Sequence, residues 1–184
     1  MGLIERMNCS EIYFVRHGET DANIQELISG GDWDIPLNET GQSQAEHARE
    51  TLAGLEIRTI CSSPLSRARE TASIINRGRD LPVSMVPDLA EWRLGDWCRQ
   101  EFAVAGDAFW DTDPPGGETR AEFFQRALQG FEQCLTYPGP VLIAAHGGIW
   151  RSLQEQFGIS SDWIPNCEPH VFRRVSGRWA TDKV

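Results

Sequence analysis

The chain has no run of eighteen apolar residues, no Cys-x-x-Cys pair, and only one lysine, Lys183, among its 17 basic residues. Each shortage removes a class of answer. A helix needs about 20 predominantly apolar residues to cross a bilayer, so no membrane-spanning segment is expected. The first residues, Met1 to Met7, lack the basic start and long apolar stretch of a secretion signal, and a cytoplasmic protein is expected. Cys9, Cys61, Cys98, Cys134 and Cys167 are odd in number and scattered, which suggests reduced thiols and neither a disulfide framework nor a zinc site. The shortage of lysine leaves arginine as nearly the whole cationic complement, a bias spread along the chain that carries no functional inference.

Charge excludes further partners. With 27 acidic residues against 17 basic ones the net charge is −10, which disfavours nucleic acid or an anionic membrane. A phosphate-bearing substrate would need a local exception, such as inward-pointing arginines that keep their charge and fork onto phosphate oxygens. The 184 residues, 40% hydrophobic, are enough for one domain spanning 1–184 with one substantial core. Oligomeric state stays open, a homo-oligomer included.

Strand and helix signals alternate along the chain, the pattern of an α/β sandwich with a largely parallel sheet. Strands are expected at 11–16, 58–62, 83–86, 141–145 and 171–175, with 178–181 able to pair after the Ser176-Gly177 turn. Helices are expected from Thr40-Gly41 to about 53, and over 66–76, 119–135 and 148–157. Phe123, Phe124, Ala127, Leu128 and Phe131 recur at helical spacing, which points to core packing. Residues 96–118 differ: mixed polarity, Pro114-Pro115 and Gly116-Gly117 make this stretch an excursion between elements. Long irregular loops often cover binding sites, so a lid or insertion is expected there.

The chemistry starts at Arg16-His17-Gly18-Glu19-Thr20, directly after the apolar run 12–15. Open α/β sheets bind ligands where strand C-terminal ends meet loops and helix N-termini, because backbone N–H groups converge there on an anion. Arg16 is a planar cation suited to phosphate. His17 can serve as a nitrogen nucleophile, since much of an unperturbed imidazole is unprotonated near neutrality. Gly18 lets the backbone turn without a side chain in the way.

Three further blocks follow in order: Ser62-Ser63-Pro64-Leu65-Ser66-Arg67-Ala68-Arg69-Glu70-Thr71-Ala72, Leu89-Ala90-Glu91 with Gly95, and Ala144-Ala145-His146-Gly147-Gly148. Together with Asn23 and residues 31–41, they make the chain resemble the histidine phosphatase superfamily. That group contains the cofactor-dependent phosphoglycerate mutases and many small-molecule phosphatases. The resemblance covers about residues 11–175. It implies a three-layer α/β/α sandwich with a mostly parallel central sheet, phosphoglycerate mutase-like. It also implies a phosphohistidine formed on His17, a phosphate clamp of Arg16, Arg67 and His146, a polar contact from Asn23, and substrate contact at Gly147. Residue 96–118 is where the resemblance puts the segment that covers the substrate.

Glu91 resembles the superfamily's general acid. The superfamily commonly continues Trp-Glu-Gly, whereas Trp97 here is followed by Cys98-Arg99, so Glu91 rests on position more than on an intact motif. Arg93 is a candidate salt-bridge partner for Glu91, and Glu19 is a second acid in view. Nothing calls for a metal or an organic cofactor: His17 and His146 come from different loops without a carboxylate or thiol set at ligand spacing, and the arginines would repel a divalent cation.

The expected activity is that of a histidine acid phosphatase-type phosphoric monoester hydrolase acting on a small phosphorylated metabolite. Two alternatives stand beside it. A phosphoglycerate mutase would return the phosphoryl group to its substrate, but it needs cations for a carboxylate and a second phosphate position. Residues 96–118 offer only Arg99 against Asp96, Glu101, Asp107, Asp111, Asp113 and Glu118, and the chain is short beside the mutases. A catalytically silent phospho-ligand-binding module on the same fold is the other alternative.

Overall fold

A computed structural model describes residues 11–106, 109–160 and 163–184; Cys9 and Asp107, which figure in the expectations above, lie outside the described residues. Among the described residues, strands β1 (Glu11–Arg16), β2 (Thr59–Ser62), β3 (Val83–Met85), β4 (Val141–Ala145), β5 (Pro169–Val175) and β6 (Arg178–Lys183) form one sheet in the order β3-β2-β4-β1-β5-β6. The β3-β2-β4-β1 part is parallel, and β5 and β6 add antiparallel at the β1 side.

β1 and β4 are apolar on both faces because both faces are covered. Ile12 and Phe14 of β1, with Val141, Ile143 and Ala145 of β4, pack under Phe123, Phe131 and Trp150. Tyr13 and Val15, with Leu142 and Ala144, point the other way onto Ala45, Ala48, Ala72 and Ile75. The two-residue period of a strand sorts the side chains into these layers. Helices α2 (Glu39–Thr51) and α3 (Ser66–Asn76) cover one face, and α5 (Arg120–Cys134) and α6 (Gly147–Phe157) cover the other. The expected three-layer sandwich with a mostly parallel sheet is the observed one.

Register places the chemistry. Arg16 pairs with Ala145, and Ser62 with Ala144, so β1, β2 and β4 end level and deliver His17, Ser63 and His146 to one edge. The His17 N–H donates to Ala145 O at 2.9 Å, and the Ser63 N–H to Ala144 O at 3.0 Å, which carries the alignment one residue past the strands.

Differences from the expected elements have local causes. α1 (Asp21–Ile24) and α4 (Phe102–Ala105) are too short for a 3.6-residue period to show. β5 starts at Pro169, two residues early, and the 176–177 turn extends β6 to Lys183; Ser176 and Gly177 have φ of 51° and 82°, the pair of positive values that a tight hairpin turn requires. The 96–118 stretch is more ordered than an excursion. It holds α4 and two 3-10 turns, and its backbone is strapped to 26–28: Arg99 N–H donates to Ile28 O at 2.7 Å, Ile28 N–H to Gln100 O at 2.8 Å, and Phe102 N–H to Glu26 O at 3.2 Å.

The loop after β1 presses on the start of α2 through two glycines. A Cβ on Gly41 would lie 2.1 Å from Glu19 O, and one on Gly18 would lie 2.4 Å from Gly41 O. Helix propensity alone would make Gly41→Ala stabilising by about 1 kcal/mol. The contact is with backbone, which has no rotamer to yield, so an overpacking cost of about 1–3 kcal/mol should win. Gly41→Ala is therefore expected to lower the melting temperature by a few degrees; a rise would show that the loop gives way.

Candidate active site

The nucleophile candidate is held in one tautomer. His17 is only 4% exposed, and its Nδ1 lies 2.7 Å from Gly18 O, a carbonyl that can only accept. Nδ1 therefore carries the proton, and the lone pair is on Nε2. Arg67 agrees: its Nε–H donates to His17 Nε2 across 3.3 Å. Burial pushes the His17 pKa well below its ordinary 6.5, and the Arg67 and Arg16 charges add to the effect. The ring is neutral at physiological pH. The loop carrying it is fixed from beneath by the Gly18 N–H, which donates to Thr71 Oγ1 at 3.0 Å, and from the side by Asn166 Nδ2, which donates to His17 O at 2.8 Å.

Two guanidinium groups share this neutral pocket. Arg67, in the first turn of α3, is fully buried; Nη2 donates to Gly30 O at 2.8 Å and Nη1 to Trp33 O at 3.2 Å. Arg16, at the end of β1, donates through Nη1 to Ile164 O at 3.1 Å and stacks under Trp163 with 4.9 Å to the ring centroid. Burial draws the Arg16 pKa down to about 10, with the Glu91 charge opposing the shift, and it remains a cation at neutral pH. Its Nε is buried without a partner among the described residues, a donor available to an anion.

His146 is fully buried at the start of α6, its ring centroid 5.3 Å from that of His17. Nε2 meets Ser63 Oγ at 2.7 Å, while buried Nδ1 has no partner among the described residues. Burial and the Arg67 charge, with His17, Arg16 and Arg126 contributing, hold this imidazole neutral well below its ordinary range. With the Ser63 hydroxyl donating to Nε2, Nδ1–H becomes a second unspent donor.

Glu91 follows β3 and a 3-10 turn, and enters the site from the fourth parallel strand. Oε2 accepts the Gly148 N–H at 3.0 Å, and Oε1 accepts the Trp92 N–H at 2.9 Å. A Cβ at Gly148 would stand 2.2 Å from Glu91 Oε1, which explains the second glycine of the His146-Gly147-Gly148 run. Gly147 answers to a different neighbour: a Cβ there would strike the Trp163 ring at 2.4 Å.

Arg126 of α5 organises the Glu91 backbone. It donates to Asp88 O, Ala90 O and Glu91 O at 2.9, 2.8 and 3.3 Å, and forks onto buried Glu118 at 2.8 and 2.7 Å. Glu118 is thus part of this support and not a free acid of the 96–118 stretch. Arg93 reaches Glu118 Oε2 at 4.0 Å, so it pairs there and not with Glu91. Glu19 turns away from the cavity too; Oε1 accepts from Asn38 Nδ2 at 3.1 Å at the start of α2. Asn23 lies in α1, with Oδ1 accepting from Thr20 N–H and Thr20 Oγ1, and it lines the cavity.

Arg16, His17, Asn23, Arg67, Glu91 and Gly147 line one cavity of about 60 Å³, and His146 stacks beside it against His17. All seven expected site residues thus gather at the sheet's C-terminal edge. Arg126, Ser63, Gly148 and Trp163 were not assigned in the sequence. Ser63 and Gly148 sit inside quoted motifs, but only packing shows what they touch.

The sequence profile of the histidine phosphatase superfamily (branch 1) matches residues 12–179. The chain belongs to that superfamily. It is 37% identical to the phosphatase PhoE of Bacillus subtilis (strain 168) over 144 residues, 77% of this chain and 74% of the relative. It is 34% identical to the adenosylcobalamin/alpha-ribazole phosphatase of Salmonella typhimurium over 155 residues, 75% and 74% of the two chains. Among solved structures, a mycobacterial glucosyl-3-phosphoglycerate phosphatase in complex with VO3 superposes with a TM-score of 0.83 at 27% identity, over 95% of this chain and 98% of that one.

In this histidine phosphatase fold the two imidazoles bind protons more weakly when folded than when unfolded, where each titrates near 6.5. The unfolded state then holds more protons below that pH, and stability is lost as pH falls. The melting temperature is expected to drop between pH 7.5 and 5.5, and less steeply in a His17→Asn/His146→Asn protein. Equal slopes in the two proteins would show that neither imidazole is held neutral.

Proposed function

We propose that this protein is a phosphatase of the histidine acid phosphatase type that hydrolyses a small phosphate monoester through a phosphohistidine on His17. The observation that carries the reading is the Nε2 lone pair of a buried, neutral His17, presented beside two arginines and the unpaired Nδ1 of His146. A phosphoryl group arrives with close to two negative charges, and transfer spreads charge over its equatorial oxygens. Preorganised N–H donors in a buried pocket stabilise that charge without having to reorganise.

In the first step His17 Nε2 attacks phosphorus as the P–O bond to the alcohol breaks, and Glu91, acting in its protonated form, hands its proton to the departing oxygen. Arg67 transfers its hydrogen bond from Nε2 to a phosphoryl oxygen, a short move for a guanidinium already 3.3 Å from the nitrogen. Positive charge grows on the ring as the N–P bond forms, and Gly18 O, accepting from Nδ1–H, opposes it. In the second step water attacks the phosphohistidine, Glu91 takes the water's proton, and Nε2 recovers its lone pair. Arg16, Arg67 and His146 bind the phosphoryl oxygens throughout. Asn23 borders the cavity with an amide nitrogen that has no hydrogen-bond partner among the described residues. The substrate, a small phosphorylated metabolite, supplies the phosphoryl group, and the chain's own residues supply every proton transfer.

His17→Ala removes the nucleophile from a loop position at the cavity wall, outside both hydrophobic clusters. It should fold with a near-unchanged melting curve and lose several orders of magnitude of p-nitrophenyl phosphate hydrolysis. Turnover within about tenfold of the parent would reject the phosphohistidine route.

Glu91→Gln separates acid catalysis from positioning. An alkoxide needs a proton to leave, whereas p-nitrophenolate leaves with little help. Alkyl-phosphate turnover is expected to fall about 100-fold to 10,000-fold, with a much smaller loss on p-nitrophenyl phosphate. Equal losses would assign Glu91 to structure alone.

A further inference from the structure

The cavity at His17 continues outward, and its two parts differ in chemistry. The inner chamber holds about 60 Å³. One water needs roughly 10–15 Å³, so roughly four to six heavy-atom groups fit, enough for a phosphoryl group and little more. The remainder of any substrate must sit in the outer cleft of about 710 Å³, which shares Arg16, Asn23, Phe102, Phe109, Trp110 and Trp163 with the chamber.

Four of those six shared residues are aromatic. Phe109 anchors the group, its ring centroid 5.0 Å from Trp110 and 5.7 Å from Phe102, and Trp110 lies 6.1 Å from Trp163. Phe102 is nevertheless 48% exposed and Trp163 50% exposed. Rings that leave half their surface open around a cleft mouth mark a place for an apolar partner.

Charge narrows the choice. Arg16 is the one cation among the described lining residues of the outer cleft and also lines the phosphoryl chamber, and Glu26 lines the cleft as an anion; Arg151 lies over the Trp110 ring at 5.0 Å without lining the cleft. The neighbouring sequence pairs Asp107-Ala108 and Ser161-Asp162 contain no basic residue. Against the described lining residues, a second phosphate or a carboxylate on the substrate would therefore lose water without gaining a cation.

We infer that the outer cleft selects phosphate monoesters whose alcohol carries a planar aromatic or heteroaromatic ring and no second negative charge, with Trp163 and Phe102 as the specificity-determining residues. This rests on the phosphatase reading above. Burying one ring face against the wall favours such esters over aliphatic ones of similar leaving-group basicity.

The test compares 2-phenylethyl phosphate, butyl phosphate and 3-phosphoglycerate, whose leaving oxygens are all alkyl. The phenylethyl ester is expected to exceed the butyl ester in kcat/KM by about tenfold or more, chiefly through KM, with 3-phosphoglycerate poorest. Phe102→Ala and Trp163→Ala should each shrink the phenylethyl-to-butyl ratio. Parity among the three substrates, a preference for 3-phosphoglycerate, or a ratio unchanged in both variants would overturn the inference. Binding of 2-phenylethylphosphonate against butylphosphonate, measured on His17→Ala protein, asks the same question without turnover. Absent hydrolysis with retained ring preference would reject the phosphatase reading alone; hydrolysis without ring preference would reject this inference alone.

Discussion

Burying the Arg67 guanidinium next to a histidine is the constraint on which the rest of the site depends. A cation taken out of water is costly unless it is hydrogen-bonded and paired. Here two backbone carbonyls, Gly30 O and Trp33 O, take two of its nitrogens, and the third is directed at His17 Nε2. Burial, reinforced by the positive field of Arg67 and Arg16, keeps both imidazoles neutral. One electrostatic arrangement thus does two things: it leaves the His17 lone pair free for attack, and it creates a concentrated demand for an anion at the same place.

A carboxyl group in such a field would fold onto the nearest arginine if nothing held it elsewhere. Glu91 is held by backbone N–H groups on both oxygens, one from its own neighbour and one from the start of α6. Gly148 makes that approach possible because any side chain would occupy the carboxylate's position. Behind it, Arg126 and Glu118 form a buried fork whose remaining donors hold three carbonyls of 88–91. Removing one partner of a buried pair costs about 3–5 kcal/mol, so this support is stiff. Each oxygen of Glu91 keeps a second lone pair for the reaction.

Division of labour between the sheet edge and the covering segment follows. The edge supplies charge and proton chemistry from residues locked by strand register. The 96–118 stretch supplies aromatic surface, tied to residues 26–28 through its backbone and to the core through Phe109, which meets Trp92 edge-on at 5.9 Å. In the proposed reading, phosphate recognition and recognition of the rest of the substrate are carried by different parts of the chain, so the outer wall can vary without disturbing the clamp.

The sequence by itself determined the layers and which polar residues meet at the sheet's C-terminal edge. Two-faced apolar runs at 12–15 and 141–145 require a covered, mostly parallel sheet; Arg16-His17 and His146 come at the ends of these two strands, and Arg67 and Glu91 come after the parallel strands β2 and β3. These signals are local, lying within a few residues of each element. What only the tertiary structure decided depends on contacts between distant segments. The His17 tautomer rests partly on Arg67, fifty residues away. Arg93 and Glu118 pair with each other, and Glu19 faces Asn38, because packing and not spacing chose their partners. Arg126 reads in sequence as one more charge on a helix, and its four anchors come from residues 88–91 and 118. The aromatic wall joins Phe102, Phe109, Trp110 and Trp163 across about sixty residues, a proximity that no periodicity encodes.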